Sequence, residues 1–302
     1  MITGSFGKDG WINYTFNRSY DNPYPTSDFD IRLNPRQKSK ILSFDEAANN
    51  VAIDLANNYS NLYLAMSGGT DSEYIAETFK RLDINFTPII FELDELNYLD
   101  VWHAHRWCKI NNYKPVVIKY DLASYTEVVL TQLKEFYTRT AGGTAVLRII
   151  RDYVRKHNGS LVTGGGDLEY FPDPTFFHPS PIAVGYDKKI ENSLREPIIE
   201  GFVMNEPDLI RDIMMHEMPF NFYSWTPEIV LSYVAARDLS KNNEENKEML
   251  TRCYPRPKNM GIPAFVFSSN YELSNIIGLK DYLGSSECDF LGSKDDLIKL
   301  LS

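Results

Sequence analysis

The stretch from Leu62 to Glu73 constrains this chain more than any other. An apolar run that reads as a buried strand breaks into Ser67-Gly68-Gly69-Thr70-Asp71-Ser72. A helical pattern through Tyr74, Ile75, Ala76, Phe79 and Leu82 follows at once. Strand, glycine turn and helix start together direct successive backbone N–H groups at an anion, with the helix dipole behind them. Gly68 and Gly69 permit positive φ and close approach of the backbone to phosphate. Ser67, Thr70 and Ser72 add hydroxyl donors, and Asp71 is placed to hold a divalent cation against phosphate oxygens. A Walker A loop is excluded, because that turn requires a lysine and this one has none.

The spelling Ser-Gly-Gly-x-Asp-Ser after a strand resembles the PP-loop of the ATP pyrophosphatases. That superfamily includes asparagine synthetases, β-lactam synthetases, GMP synthetases, NAD synthetases and tRNA-thiolating enzymes. The resemblance implies an enzyme that binds ATP with Mg²⁺, transfers AMP to a substrate oxygen and releases pyrophosphate. The alternative is a plain glycine turn between a strand and a helix.

The flanking pattern fits an α/β fold with a doubly wound parallel sheet of the PP-loop type. Ser43 and Glu46 form a capping box for a helix running to Tyr59, with Ala47, Val51 and Leu55 on its apolar face. Residues 87–93 read as a second parallel strand, 99–110 as its crossover helix and 115–120 as a third strand, a βαβαβ rhythm. In the PP-loop family, backbone near the end of the second strand reads the adenine edge, which by position implies the neighbourhood of Phe91 and Leu93. His103 and His105, at i and i+2, fall on different helix faces and cannot chelate one metal. Residues 122–157 read as largely helical, with Gly142-Gly143-Thr144 interrupting before a helix from about Ala145 to Lys156. Residues 1–42 read as an N-terminal appendage, a β-hairpin of strands near 11–16 and 29–33, leaving 43–302 as the synthetase-like domain.

A second informative turn follows the short strand Ser160 to Thr163. Gly164-Gly165-Gly166-Asp167-Leu168-Glu169 resembles the Gly-x-Gly-x-Asp-Glu element of asparagine synthetases, with one residue now separating the acids. There the aspartate binds magnesium, which nominates Asp167 beside Asp71 and places Gly165 at the phosphates. The alternative is a glycine turn with a capping aspartate. Residues 170–200, rich in proline, read as a long ordered loop with a possible hairpin, either a specificity element or a peripheral insertion.

The last third reads as helical. Two weaker likenesses to asparagine synthetases occur in it, His216 to Phe220 before a helix at 227–239, and Tyr254-Pro255-Arg256-Pro257-Lys258. The second nominates Lys258 as the catalytic cation, with Arg256 as support. A cation suits the charge that gathers on the α-phosphorus transition state and the leaving pyrophosphate. Asparagine synthetases carry a glutaminase domain with a cysteine just after the initiator Met. Position 2 is Ile2, and residues 1–42 are too short for such a domain, so glutamine hydrolysis within this chain is not expected.

Composition narrows the partners. The formal charge of −10 disfavours a nucleic-acid backbone as the main partner. Cys108, Cys253 and Cys288 form no C-x-x-C, so neither a zinc ribbon nor an iron–sulfur cluster is indicated, and the pattern suits a reducing cytosol. No signal peptide or membrane-length apolar run is visible, and a cytoplasmic location is expected. The leading expectation is therefore an ATP- and Mg²⁺-dependent ligase, asparagine synthetase-like. It adenylates a carboxylate or carbonyl oxygen of a small-molecule acceptor, and ammonia or an amine then captures the product. Nucleoside or tRNA modification, and a non-catalytic nucleotide-binding scaffold, are the alternatives.

Overall fold

The computed structural model describes residues 2–16, 29–35, 38–94, 97–128, 141–164, 168–171, 201–204, 220–236, 289–292 and 294–302. Its centre is a five-stranded, all-parallel sheet. The strands are β4 (Leu62–Ala65), β5 (Thr87–Leu93), β6 (Val116–Tyr120), β7 (Ser160–Thr163) and the short β10 (Phe220–Asn221), in the order β10-β7-β4-β5-β6. The chain steps outward from β4 to β6, then returns to place β7 on the other side of β4. The winding direction thus reverses between β4 and β7, and in an open parallel sheet this switch point opens a crevice at the strands' C-terminal ends.

Side-chain alternation along these strands feeds two cores. Leu62, Leu64, Ile90 and Val162 face one side, packing with α1 (Phe44–Asn58), α2 (Thr70–Arg81), α3 (Tyr98–Ile110) and α5 (Pro227–Ala236). Ile89, Phe91, Leu93 and Leu161 face the other, against Tyr125 and α4 (Ala141–Lys156). Both faces are covered, so the strands read as near-continuous apolar runs, as buried parallel strands do. The doubly wound α/β sheet is therefore present. α1 carries the expected capping box, with Ser43 and Glu46 each satisfying the other's backbone N–H, and buries Phe44, Ala47, Ala48, Val51, Ala52 and Leu55 along one stripe.

Three features differ from the sequence reading. Gly142-Gly143-Thr144 does not interrupt a helix but lies in the first turn of α4, which begins at Ala141. First-turn N–H groups have no intrahelical partner, so glycine there costs less than at mid-helix. The N-terminal strands form a three-stranded antiparallel meander, β1 (Ile2–Phe6), β2 (Ile12–Phe16) and β3 (Phe29–Leu33), rather than a hairpin. Trp11 and Ile12 are fully buried in the first core, and the Trp11 indole donates to the Ser224 carbonyl at 3.1 Å. The last third is not purely helical. β9 (Gly201–Met204) pairs with β8 (Leu168–Phe171) and with β11 (Asp289–Gly292), which leads into α6 (Lys294–Leu301). Of the loop expected over 170–200, Tyr170 and Phe171 instead belong to β8, paired with β9; residues 172–200, the His216 to Pro219 turn and the Arg256–Lys258 element lie outside the described residues. No helix among the described residues is long and apolar enough to cross a membrane.

Candidate functional site

The turn after β4 is built from backbone constraints. Met66 donates its N–H to the Ile89 carbonyl at 2.9 Å, and the chain then leaves the sheet. Gly68 sits at φ +77°, buried, where any Cβ would collide with the backbone carbonyl of Asp100 in the first turn of α3. Only glycine satisfies both conditions. Gly69 is extended and occupies the N-cap position of α2, and no side chain caps that helix. The start of α2 therefore lies at the switch point without a side-chain cap, and a helix N-terminus of this kind is where backbone N–H groups can meet an anion.

The two serines of the turn brace it. The Ser72 hydroxyl donates to the Gly69 carbonyl at 3.0 Å, the Gly69 N–H donates to Ser67 Oγ at 3.2 Å, and the two hydroxyls stand 3.2 Å apart. Ser72 is buried and Ser67 exposed, so Ser67 is the hydroxyl that faces outward. Thr70 opens α2, and its side chain is outside the described set.

Asp71 joins the glycine turn to the second strand of the crevice. Its backbone carbonyl accepts the Tyr223 hydroxyl at 2.8 Å. Gly164, just past β7, lies close enough that a Cβ there would stand 3.4 Å from Asp71 Cβ, 3.2 Å from Tyr223 Cε2 and 3.0 Å from Ile75 Cδ1. Gly164, the first residue of the second glycine turn, therefore meets the first turn at Asp71. Gly165 and Asp167, which continue the second turn, lie outside the described residues, as do Arg256 and Lys258.

An aromatic wall supports this junction. Phe44 stacks on Tyr223 at 6.2 Å between centroids and packs against Tyr74 at 5.3 Å. The Tyr74 hydroxyl donates to Asp45 Oδ1 at 2.7 Å, and burial, reinforced by that bond, pushes its ionisation well above the ordinary tyrosine value. Tyr74 thus stays neutral and serves as structure.

Phe91 and Leu93 lie on β5, buried, with Phe91 packed against Tyr120 and Tyr125. Their backbone groups are engaged by Asn97, whose Oδ1 accepts from the Leu93 N–H at 2.9 Å and whose Nδ2 donates to the Phe91 carbonyl at 2.8 Å. His105 bonds Glu92 at 2.8 Å, and Lys119 joins the same carboxylate at 2.8 Å. Burial pushes the Glu92 carboxyl up, but Lys119 and His105 more than offset it and hold it below its ordinary value. A separate cleft of about 470 Å³, lined by Tyr120, Arg148, Asp152, Tyr153 and Lys156 among others, lies beside β6, two strands away from the glycine turn.

Sequence reasoning missed Asn97 and Tyr223. Asn97 carried a signal, an Asx residue directly before a helix. Tyr223 carried none, because its role depends on β10 docking beside β7.

Among the described residues no group of three or more His, Cys, Asp or Glu side chains is gathered for a metal. A single Asp71 carboxylate at an open helix start still fits Mg²⁺, which is commonly held by one or two carboxylates together with substrate phosphates.

No family model matches the chain, and no curated protein matches it. Among solved structures it is similar to part of an NMN synthetase from Francisella tularensis, at 15% identity, TM-score 0.33, covering 42% of this chain and 56% of that one. It is also similar to a glutamine-dependent NAD⁺ synthetase from Acinetobacter baumannii, at 12% identity and TM-score 0.34 over 82% of this chain and 51% of that one. A third likeness is to a U34-tRNA thiolase from Methanococcus maripaludis, at 14% identity and TM-score 0.35 over 85% and 77%. The chain spans about half the length of the synthetases it resembles.

Proposed function

We propose that this protein is an ATP-dependent enzyme of the ligase type that binds the triphosphate on the turn from Ser67 to Ser72. The observation that carries the reading is the meeting of two glycine turns at Asp71, beside an uncapped helix start, at the sheet's switch point. Backbone N–H groups and the α2 dipole would hold phosphate oxygens. Asp71, with Asp167 as second carboxylate, would hold Mg²⁺, which screens the phosphates when bound. That arrangement leaves an α-phosphorus open to a carboxylate or carbonyl oxygen of a small acceptor, with ammonia or an amine to follow. Lys258 and Arg256 are proposed as the cations that meet the charge of the leaving pyrophosphate. The net charge of −10 supports a small acceptor over a nucleic acid.

A thermal-shift assay with Mg²⁺ and a non-hydrolysable ATP analogue tests the first step on wild type and Asp71→Ala. Binding to the native state should stabilise it by about 2.7 kcal/mol at a hundredfold excess over Kd. A magnesium-dependent rise that Asp71→Ala abolishes is the expected result; no rise in wild type overturns the reading. AMP release across a panel of acids with ammonia or amines then tests the ligase chemistry, and AMP formed only with tRNA would transfer the site to nucleic-acid modification.

A further inference from the structure

β4 leaves the sheet at Met66, while β5 continues to Leu93. In a parallel ladder, alternate residues direct their backbone groups to alternate neighbours. Ile89 faces β4, since its carbonyl accepts from Met66. Phe91 and Leu93, in step with Ile89, therefore face the same side, beyond the point where β4 has ended and the glycine turn begins.

A side chain completes the ladder there. The Asn97 carboxamide donates to the Phe91 carbonyl and accepts from the Leu93 N–H, at 2.8 and 2.9 Å, and Asn97 is only 8% exposed. Asn97 is also the N-cap of α3, a position whose side chain ordinarily serves the helix's own first N–H groups, yet it makes no such bond. The carboxamide has been diverted from its local partner to the strand end. An N–H donor beside an acceptor is also what the N6 and N1 edge of adenine offers.

We propose that Asn97 is an internal stand-in for the nucleobase edge, occupying the base station until adenine displaces it. The inference rests on the nucleotide reading above. Displacement trades two hydrogen bonds for two, so the base gains little from its edge contacts in wild type. The released carboxamide has a second station at the first turn of α3, the ordinary partner of an N-cap side chain. That turn also presses on Gly68 through the Asp100 carbonyl, so the swing of Asn97 links base occupancy to the phosphate turn. Asn97 is a specificity-determining residue in this scheme: a ligand without a donor–acceptor edge does not pay to move it.

Calorimetric titration with Mg²⁺ and two probes, the non-hydrolysable ATP analogue and inorganic tripolyphosphate, tests this on wild type, Asn97→Ser and Asn97→Asp. Both substitutions keep a good N-cap residue; the serine hydroxyl is too short to bridge the Phe91 carbonyl and the Leu93 N–H, and the aspartate carboxylate has no N–H to give the Phe91 carbonyl. The analogue's affinity relative to tripolyphosphate should rise about tenfold in the variants, the return on not breaking two buried hydrogen bonds. An unchanged or lower ratio in either folded variant, with tripolyphosphate still bound, overturns the inference alone. Failure of both probes to bind wild type overturns the phosphate reading and this inference with it. Asn97→Asp, being isosteric, provides the answer if Asn97→Ser does not fold.

Discussion

Gly68 and Gly164 come from two glycine turns that look alike in sequence, and their surroundings differ. The turn after β4 is fixed by backbone: Gly68 has positive φ and rests against a main-chain carbonyl, which cannot move without shifting α3. Gly164, which follows β7, has no positive φ and is bounded by side-chain atoms of Ile75, Tyr223 and Asp71 rather than by backbone. The first is rigid, and it is the platform proposed here for an anion. The second glycine, Gly164, has adjustable neighbours, because Tyr223 is set by its bond to the Asp71 carbonyl and by the packing of Phe44 and Tyr74 behind it.

Substitutions should separate the two. Gly68→Ala meets both a left-handed backbone and a main-chain clash, so a loss of about 2–4 kcal/mol is expected in urea unfolding, with nucleotide binding abolished. Gly164→Ala meets only side chains and should cost about 1–2 kcal/mol. If its cost equals that of Gly68→Ala, the second turn is as rigid as the first. Tyr223→Phe removes one hydroxyl from the Asp71 carbonyl and should cost about 1 kcal/mol. Combined with Gly164→Ala it should deviate from additivity, because both changes act on Asp71.

The smallest effect is expected at Glu92, whose carboxylate bonds His105 and Lys119 rather than either turn, which makes it the control for stability. Its carboxyl is held below the ordinary value, so its contribution is present above the unfolded-state pKa and is lost as pH falls through the folded value. Glu92→Gln should therefore cost about 0.5–1 kcal/mol at pH 7, a figure kept small by the exposure of Lys119, and nothing once both states are protonated in acid. Unfolding curves of both proteins from pH 7 downward check this. A gap that persists in acid would mean that packing, not charge, makes the difference.

Much of the platform was legible in the chain because it is local. Leu62 to Ala65 and Thr70 to Arg81 declare themselves by apolar period, Ser43 and Glu46 by their spacing, and Gly68-Gly69 by the freedom a tight turn demands. The reading of Gly142-Gly143 as an interruption failed because glycine's cost depends on where it falls in a helix, and that position is set by packing rather than by neighbours in sequence.

What the sequence by itself determined is the set of pieces: a strand, a glycine turn and a helix, and later a second strand that ends in glycine. What only the tertiary structure decided is their juxtaposition. Buried parallel strands are apolar on both faces, so nothing local in β7 says that it pairs with β4 rather than beyond β6. That choice brings Gly164 to Asp71 and seats Tyr223 on the Asp71 carbonyl. Strand partners are selected by burial summed over the whole sheet, a quantity that no short window of residues contains.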